Sequence, residues 1–234
     1  MVELKVVSLN LRGIHDRWWR REPLVVRGLA GLDADVICLQ EAAPWCLQAR
    51  WVAWRLGRAT GRKYRVQQAR KRGWRGLLEG LATLSRLPLA EHRVLALGPQ
   101  GRVAQHVVAD AQGRNICIAN THLDHRRNSQ AIRRLQARSL ARWLEARDEP
   151  IVLAGDFNDT PESDCLTALE PGFRVCHAGA ELRGTAPAWA RARVIDYVLV
   201  TDKVEVLDAG TCFCEAVGGI WPSDHIGLWA RLRI

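Results

Sequence analysis

The sequence predicts an α/β domain that has many strands and carries helices on its outer faces. Short apolar runs rich in β-branched residues recur along the chain, and amphipathic helical patterns lie between them. No linker, repeat or low-complexity tract divides the 234 residues, so residues 1–234 are expected to form a single domain. A chain of this length can bury a sizeable core without disulfides.

Eight segments have the length and composition of strands, and each is bounded by turn residues. They are residues 4–10, 35–40, 80–85, 103–109, 115–123, 151–157, 194–200 and 225–234. The segments 60–78 and 177–193 show the weakest periodicity and are expected to be long loops, which are often functional in a compact domain.

Four helices are predicted between the strands. Three cover residues 24–34, 44–59 and 128–146. A fourth is expected to begin with Thr160 as its N-cap and Pro161 at the first helical position. In the second helix, Leu47, Trp51 and Trp54 have the spacing of a face that packs on the core.

The charge distribution points towards a phosphate-bearing partner. The chain carries 34 Lys and Arg against 25 Asp and Glu, a formal net charge of +9. Between Glu41 and Glu79 there are ten basic residues and no acidic one. Such a segment favours a polyanion. The alternative interpretation is a general bias towards arginine on solvated faces.

The cysteines and the amino terminus bear on the compartment. Seven cysteines, most of them among apolar neighbours, form neither a disulfide framework nor a zinc module and suggest buried thiols in a reducing environment. The first residues lack the pattern of a leader peptide, and no apolar run approaches the roughly 20 residues that a membrane span needs. We therefore expect a soluble cytoplasmic protein.

Polar residues follow or interrupt the predicted strands throughout the chain. They are Asn10, Gln40, Glu41, Asn120, His122, Asp156, Asn158, Asp196, Asp224 and His225. Singly, an Asp or Asn after a strand usually forms an Asx turn or caps a helix. Side chains two residues apart on a strand point the same way, so Asn120 and His122 are expected to share a face. Strand ends gathered at one sheet edge would bring these groups into one pocket.

The residue types match one chemistry. Carboxylates with an amide oxygen and no thiolate cluster favour Mg²⁺ or Mn²⁺ over zinc. Two histidines that carboxylates can hold are suited to stabilising phosphate oxygens and transferring protons. Asp196, inside an apolar strand, needs such a partner because a buried carboxylate is costly without one. Together they predict a metal-dependent phosphodiesterase.

Seven segments resemble the endonuclease/exonuclease/phosphatase superfamily, which includes pancreatic deoxyribonuclease and the abasic-site endonucleases. They are "VVSLNLRG", "ADVICLQEA", "EGLATLSRLPL", "NTHLDHR", "GDFNDTPES", "RVIDYVLV" and "PSDHIGL", in family order. The resemblance implies a DNase I-like α/β fold, a four-layer sandwich of two mixed β-sheets flanked by helices. It places the active site at the strand ends.

The resemblance also implies roles for individual residues. Glu41 resembles the principal metal-ligand glutamate, Asn10 resembles the asparagine beside it, and Asp224 resembles the aspartate on the metal side. Asp156 resembles the residue that positions or deprotonates the attacking water, and Asn158 resembles a phosphate-binding asparagine.

Both histidines match positions of the family site. His122 resembles a phosphate-contacting histidine with Glu79 in the place of its partner, and Asp196 resembles the carboxylate that holds His225. The general base is left open between Asp156 and the Asp196–His225 pair.

Three further residues are expected to contact substrate. They are Asn120, Arg102 as a phosphate contact, and Trp74 through base stacking from the basic segment. The superfamily acts on nucleic acids, phosphoinositides, sphingomyelin and nucleotide-like phosphoesters, and the basic, Trp-bearing segment favours DNA or RNA. Lipid or small-molecule phosphodiesters are the alternative, and a membrane surface is an expected partner only in that case. An inactive binding module is a third interpretation. No stable protein partner is inferred.

Overall fold

Two mixed six-stranded β-sheets stack face to face, and helices cover the outer face of each sheet. The computed structural model describes residues 1–98, 100–177 and 184–234, apart from the side chains of Trp74 and Arg75. The strands are β1 (Glu3–Asn10), β2 (Val36–Ala42), β3 (Arg65–Arg70), β4 (Gly80–Ser85), β5 (Leu89–Ala96), β6 (Val103–Ala111), β7 (Arg114–His122), β8 (Ile151–Asp156), β9 (Arg174–Val175), β10 (Asp196–Val200), β11 (Glu205–Cys212) and β12 (Gly227–Arg233). The helices are α1 (Trp18–Leu32), α2 (Gln48–Thr60), α3 (Gln130–Glu145) and α4 (Asp164–Thr167), with a 3₁₀ turn at Trp74–Leu77.

The strand order is β11-β12-β1-β2-β4-β3 in the first sheet and β5-β6-β7-β8-β10-β9 in the second. At the centre of each sheet two strands run parallel, β1 with β2 through α1 and β7 with β8 through α3. Their other neighbours are antiparallel. Because the carboxyl ends of a parallel pair lie at the same sheet edge, each sheet delivers two strand ends to one place.

Three apolar layers hold the four-layer sandwich together. Between the sheets, Val6 and Val36 pack with Ile118 and Val152. The outer face of the first sheet packs on α1 and α2, and that of the second packs on α3 and α4. Full burial of each such side chain contributes about 2 kcal/mol relative to exposure. The four-layer fold expected from the sequence is confirmed.

The predicted strands match eight strands of the structure within a few residues, whereas β3, β5, β9 and β11 were not predicted. All four are edge strands. Edge strands carry polar and charged side chains rather than apolar runs, and so lack the signal of a central strand. β3 lies in the segment 60–78 that was expected to be a loop. Of the second expected loop, residues 178–183 lie outside the described residues.

Two details of the helix predictions are wrong. Leu47, the N-cap of α2, and Trp51 and Trp54 within α2 do not face the core; they are 54%, 47% and 53% exposed. A second stripe of smaller side chains, which includes Val52 and Leu56, packs on the sheet instead.

The fourth helix begins at Asp164 and not after Thr160. Ser163 is its N-cap, because the Ser163 hydroxyl accepts a hydrogen bond from the backbone N–H of Leu166 at 3.4 Å. Several capping residue types occur in this stretch, and the pattern alone does not distinguish them.

Among the described residues, none of the helices combines the length and the apolar character that a membrane crossing requires. All seven cysteines are described, and each is a free thiol. Burial raises the pKa of the Cys38 and Cys117 thiols to about 12.

Candidate active site

The ends of the two parallel strand pairs meet at one edge of the sandwich. Asn10 ends β1, Glu41 lies one residue before the end of β2, and His122 and Asp156 end β7 and β8. The Asn10 amide joins the two sheets, because its Nδ2 donates to Glu41 Oε1 at 3.2 Å and to Asp156 Oδ2 at 3.1 Å. The structure thus brings together the strand-end residues that the sequence pattern selects.

Local backbone geometry fixes Asn10 and Glu41. Asn10 Oδ1 accepts from the Arg12 backbone N–H at 2.8 Å, so the amide nitrogen faces the carboxylates. The register of β2 shifts between Leu39 and Ala42, and Glu41 there has φ +52°. A positive φ is uncommon outside glycine and persists only where the surrounding structure holds it. Burial, with Glu79 nearby, raises the pKa of the Glu41 carboxyl.

Asp156 lies at the centre of the cluster. Its Oδ1 accepts from the Asn158 backbone N–H at 2.9 Å, which forms the expected Asx turn, and Asn158 has φ +54°. His122 Nε2 and His225 Nε2 lie 3.5 Å and 3.8 Å from Asp156 Oδ2. Burial and the neighbouring Asp196 raise the pKa of Asp156 to about 7.

His225 and Asp196 form a close pair. His225 Nδ1 lies 3.1 Å and 2.9 Å from the two carboxylate oxygens of Asp196, which opposes Asp156 across the β8–β10 ladder. Burial alone lowers the pKa of His225, but Asp196 and Asp156 outweigh it and raise the pKa to about 10. The pair therefore satisfies the buried Asp196 and leaves His225 Nε2 facing Asp156.

His122 has a different carboxylate neighbour. Its Nδ1 lies 3.3 Å from Glu79 Oε1, off the direction of a hydrogen bond. Glu79 is held by Arg102 Nη1 and, at 3.0 Å, by Lys71 Nζ. Burial, followed by the charge of Arg102, lowers the pKa of His122 well below its usual value. The structure thus places Glu79 beside His122 but engages it with two cations.

Two predicted substrate contacts do not reach the open site. Asn120 is fully buried between the sheets, where its Nδ2 donates to the carbonyls of Leu39 and Ala82 and its Oδ1 accepts from Gln40 Nε2. It shares a face with His122 but lies two residues further into the sandwich, and this buried position does not support its prediction as a substrate contact.

Arg102 is 3% exposed. Its guanidinium contacts Glu79 and donates from Nη2 towards His125 Nδ1 at 2.8 Å, so it supports Glu79 rather than facing solvent. The predicted phosphate contact through Arg102 does not fit this burial. The side chain of Trp74 lies outside the described residues.

Asp224 has a partner that the sequence pattern did not indicate. Arg12 Nη1 forms an ion pair with Asp224 Oδ2. Ser223 Oγ donates its hydrogen to the Asn10 carbonyl at 2.6 Å and lies 3.3 Å from Asp224 Oδ1. Arg12 lies two residues after Asn10 in "VVSLNLRG", and Ser223 opens "SDH". Their position within these segments was the only feature of the sequence that could have indicated their role beside Asp224.

Arg21 of α1 fixes the two loops that carry these residues. Its buried guanidinium donates to the backbone carbonyls of Leu11, Gly13 and Pro222 at 2.9, 3.0 and 2.8 Å. These bonds join the loop after β1 to the loop before β12, so Arg21 positions Arg12 and Asp224 relative to each other.

A model of the Endonuclease/Exonuclease/phosphatase family matches residues 7–225. The chain belongs to this family. Among curated proteins, Protein angel of Drosophila melanogaster is 28% identical over 218 residues, covering 78% of this chain and 58% of the relative. This member of the family therefore spans less than two thirds of the length of that relative.

Solved structures share the fold. D. rerio TDP2 complexed with a single-strand DNA product has a TM-score of 0.81 at 18% identity, covering 99% of both chains. The human Nocturnin catalytic domain with a bound sulfate anion has a TM-score of 0.80 at 20% identity, covering 99% of this chain and 93% of that one. At these identities the likeness establishes the fold, in agreement with the family match.

Oxygen donors in this family member could hold a hard divalent cation. Burial and the nearby Glu79 raise the pKa of the Glu41 carboxyl, and a bound cation would offset this cost of its negative charge. A second group, Asp156, Asp196 and His225, has ligand atoms within 4.8 Å of one another. That group fits a metal less well, since His225 Nδ1 is engaged with Asp196 and a protonated imidazole does not ligate.

Proposed function

We propose that residues 1–234, acting as one domain, are a metal-dependent phosphodiesterase that hydrolyses nucleic acid. The observation that carries the proposal is the Asn10 bridge between Glu41 and Asp156, with two histidines facing the same Asp156 oxygen. Carboxylates for a metal and donors for phosphate oxygens are the parts that phosphodiester hydrolysis needs. Membership of a family of phosphoesterases supports the same reaction class.

Glu41 and Asp224, with Asn10 orienting Glu41, would hold Mg²⁺ or Mn²⁺. A bound divalent ion supplies charge neutralisation at the phosphate. The Asn10 amide N–H would orient Glu41 by donating to its carboxylate. Asp224 would contact both the metal and the Arg12 guanidinium.

Asp156 is the better candidate for the group that accepts the proton of the attacking water. Its Oδ1 is fixed by the Asn158 N–H, and its Oδ2 lies on the side of the two histidines. His225 is held by both oxygens of Asp196 through Nδ1, so Nε2 is left to donate to a phosphate oxygen or to a leaving group. Asn158, half-buried beside Asp156, would donate its amide to a phosphate oxygen.

Nucleic acid is the substrate class that the charges favour. The chain carries a formal net charge of +9, and Lys71, from the acid-free stretch 42–78, reaches the site at Glu79. The single-strand DNA product in D. rerio TDP2 and the sulfate in human Nocturnin support a phosphate-binding role for the same fold. Seven free thiols suit a reducing compartment, and we propose the cytoplasm.

A lipid phosphodiester is the second candidate. The exposed Trp51 and Trp54 among arginines would also suit an anionic membrane surface. Under this alternative the same catalytic residues act on a headgroup phosphodiester.

The test is a hydrolysis panel with Mg²⁺, Mn²⁺ or EDTA. The substrates are bis-p-nitrophenyl phosphate, plasmid DNA, single-stranded RNA and sphingomyelin vesicles. We expect turnover of nucleic acid and the small diester with metal and none with EDTA. A Glu41→Gln variant should need a higher metal concentration than the wild type for half-maximal turnover. Turnover of sphingomyelin alone would support the lipid alternative. Absence of turnover on every substrate would contradict the proposal and favour a binding module.

A further inference from the structure

The outer face of α2 carries an unusual pair of aromatic side chains. Trp51 and Trp54 have ring centroids 5.0 Å apart at an interplanar angle of 36°. The Arg55 guanidinium lies over Trp51 at 5.9 Å, and that of Arg58 lies over Trp54 at 5.8 Å. Two adjacent exposed indoles form an apolar patch of the kind that marks interaction sites.

Trp54 borders an open groove of about 630 Å³ between the carboxyl end of α2 and the start of β3. Basic side chains dominate its rim, and Tyr64 contributes to its floor. The groove is lined by Arg50, Ala53, Trp54, Gly57, Arg58, Gly61, Arg62, Lys63, Tyr64 and Val66. We call it the α2 groove.

The cations of the α2 groove are free to meet an anion. Arg55 pairs with Glu22 of α1 at 3.2 Å, whereas Arg50, Arg58, Arg62 and Lys63 are exposed and form no ion pair with a described carboxylate. No acidic residue lies on the lining. Four unpaired cations around a concavity attract a polyanion rather than a neutral partner.

We propose that the α2 groove binds single-stranded nucleic acid that extends from the active site. Arginine and lysine would contact its phosphates, and Trp54 would stack on an unpaired base, which is the combination that single-strand-binding proteins use. The proposal rests on the proposed function, because it assigns the groove to the same substrate.

The fold connects the groove to the active site. α2 starts seven residues after Glu41, and its 13 residues extend about 20 Å to the groove. β3 then returns from the groove to Lys71, which pairs with Glu79. A strand bound at both places therefore spans several nucleotides, so long substrates engage the groove and very short ones do not.

The charges that line the groove favour nucleic acid over a lipid surface. A membrane-binding face presents apolar side chains that project into the headgroup region. Here Trp54 lines the groove among basic side chains, and the rings of Trp51 and Trp54 each have a guanidinium over them. Four exposed cations, set against Trp54 and Val66 in the same lining, favour a polyanion over a bilayer.

The test compares a groove variant, Trp54→Ala/Arg58→Ala/Arg62→Ala, with a matched variant, Trp19→Ala/Arg138→Ala/Arg142→Ala. The matched set removes one exposed tryptophan and two exposed arginines from α1 and α3. Binding is measured by fluorescence anisotropy in EDTA, with fluorescein-labelled single-stranded 20-mers and 4-mers of RNA and DNA. Vesicles containing phosphatidylserine form a separate arm. Turnover of bis-p-nitrophenyl phosphate with Mg²⁺ reports the active site.

We expect the groove variant to bind the 20-mer at least 10-fold more weakly, with a shallower salt dependence, and the matched variant to change by less than 3-fold. Both variants keep the 4-mer affinity and the turnover of the small diester.

Three results would overturn the proposal: an unchanged 20-mer affinity, an equal loss in the matched variant, or loss of vesicle binding alone. Wild-type protein that binds the 20-mer through the groove but hydrolyses no nucleic acid would contradict the proposed function and leave the groove assignment standing. If the protein hydrolyses nucleic acid but the groove variant binds the 20-mer normally, the groove assignment is contradicted and the proposed function stands.

Discussion

The two histidines of the site occupy similar places and have opposite environments. Both are buried, and both face Asp156 Oδ2. His225 has Asp196 to itself, since both carboxylate oxygens contact its Nδ1. His122 shares Glu79 with Arg102 and Lys71. The pKa of His225 is raised to about 10, and that of His122 is lowered.

A neighbouring carboxylate does not by itself keep a histidine protonated. What matters is whether cations already engage that carboxylate. Glu79 is neutralised twice, so burial dominates at His122. Asp196 is engaged by one imidazole, so the ion pair dominates at His225. We therefore expect His225 to act as a cationic donor and His122 as a neutral hydrogen-bonding group.

The largest effects are expected from Asp156→Asn and His225→Gln. Under the proposed function each removes a group that acts on the reacting phosphate or its attacking water, and kcat/KM on bis-p-nitrophenyl phosphate should fall by about 10³-fold. Asp156→Asn also removes the repulsion between Asp156 and Asp196, so its thermal midpoint should be equal to or above that of the wild type. Activity within 3-fold of wild type in either variant would contradict these roles.

Asp196→Asn should have the next largest effect. The asparagine can keep a hydrogen bond to His225 Nδ1 but withdraws the charge that raises the pKa of His225. We expect kcat/KM to fall by about 10²-fold at pH 8, with a smaller loss at pH 6, where the imidazole regains its proton. A loss that is the same at both pH values would show that Asp196 only orients the ring.

Glu79→Gln should have a milder effect, because His122 does not depend on the charge of Glu79. We expect about a 10-fold loss of kcat/KM. The free energy of unfolding should fall by about 1–2 kcal/mol, since the buried Arg102 loses its anionic partner and keeps only a neutral acceptor. Circular dichroism and urea unfolding check this result. A loss of activity larger than that of Asp196→Asn would show that His122 depends on its carboxylate neighbour more than His225 does.

The smallest effects concern the pH dependence of stability. A raised histidine pKa stabilises the folded state fully below about pH 6.5, and this contribution is lost as the pH rises towards 10. A lowered histidine pKa has the opposite effect. It reduces the free energy of unfolding increasingly as the pH falls below about 6.5.

In EDTA, His225→Gln should therefore be most destabilising at pH 6 and less so at pH 9. His122→Gln should gain stability relative to wild type between pH 6.5 and pH 5. Urea unfolding across this range measures both differences. Parallel pH profiles for the two variants would contradict the opposite environments.

Much of the fold and of the site is readable from the sequence, for a physical reason. Central strands carry apolar side chains on both faces, and polar residues that end such strands, as Asn10 and Asp156 do, stand out against them. The edge strands β3, β5, β9 and β11 lack this contrast between apolar and polar residues and were therefore not predicted. Their polar composition belongs to their position in the sheet, which is a property of the fold.

The misplaced residues have a common cause. Asn120 and Arg102 have polar side chains that suit a substrate, but each is buried and satisfied by protein groups far away in sequence. Trp51 and Trp54 have core spacing, yet a neighbouring stripe of smaller residues packs on the sheet. Tertiary packing decides which partner a polar side chain contacts and which face of a helix packs on the sheet. The spacing of residues in the sequence does not predict that choice.

An NMR titration of the two imidazoles in metal-free protein tests the contrast between the two sides of the site most directly. Long-range ¹H–¹⁵N correlations, assigned with the His122→Gln and His225→Gln variants, report the protonation of each ring from pH 5 to pH 9. We predict that His225 stays protonated on both nitrogens up to at least pH 8, whereas the His122 imidazole takes up its proton only at pH values well below 6.5. Two histidines that titrate together near pH 6.5 would contradict the account.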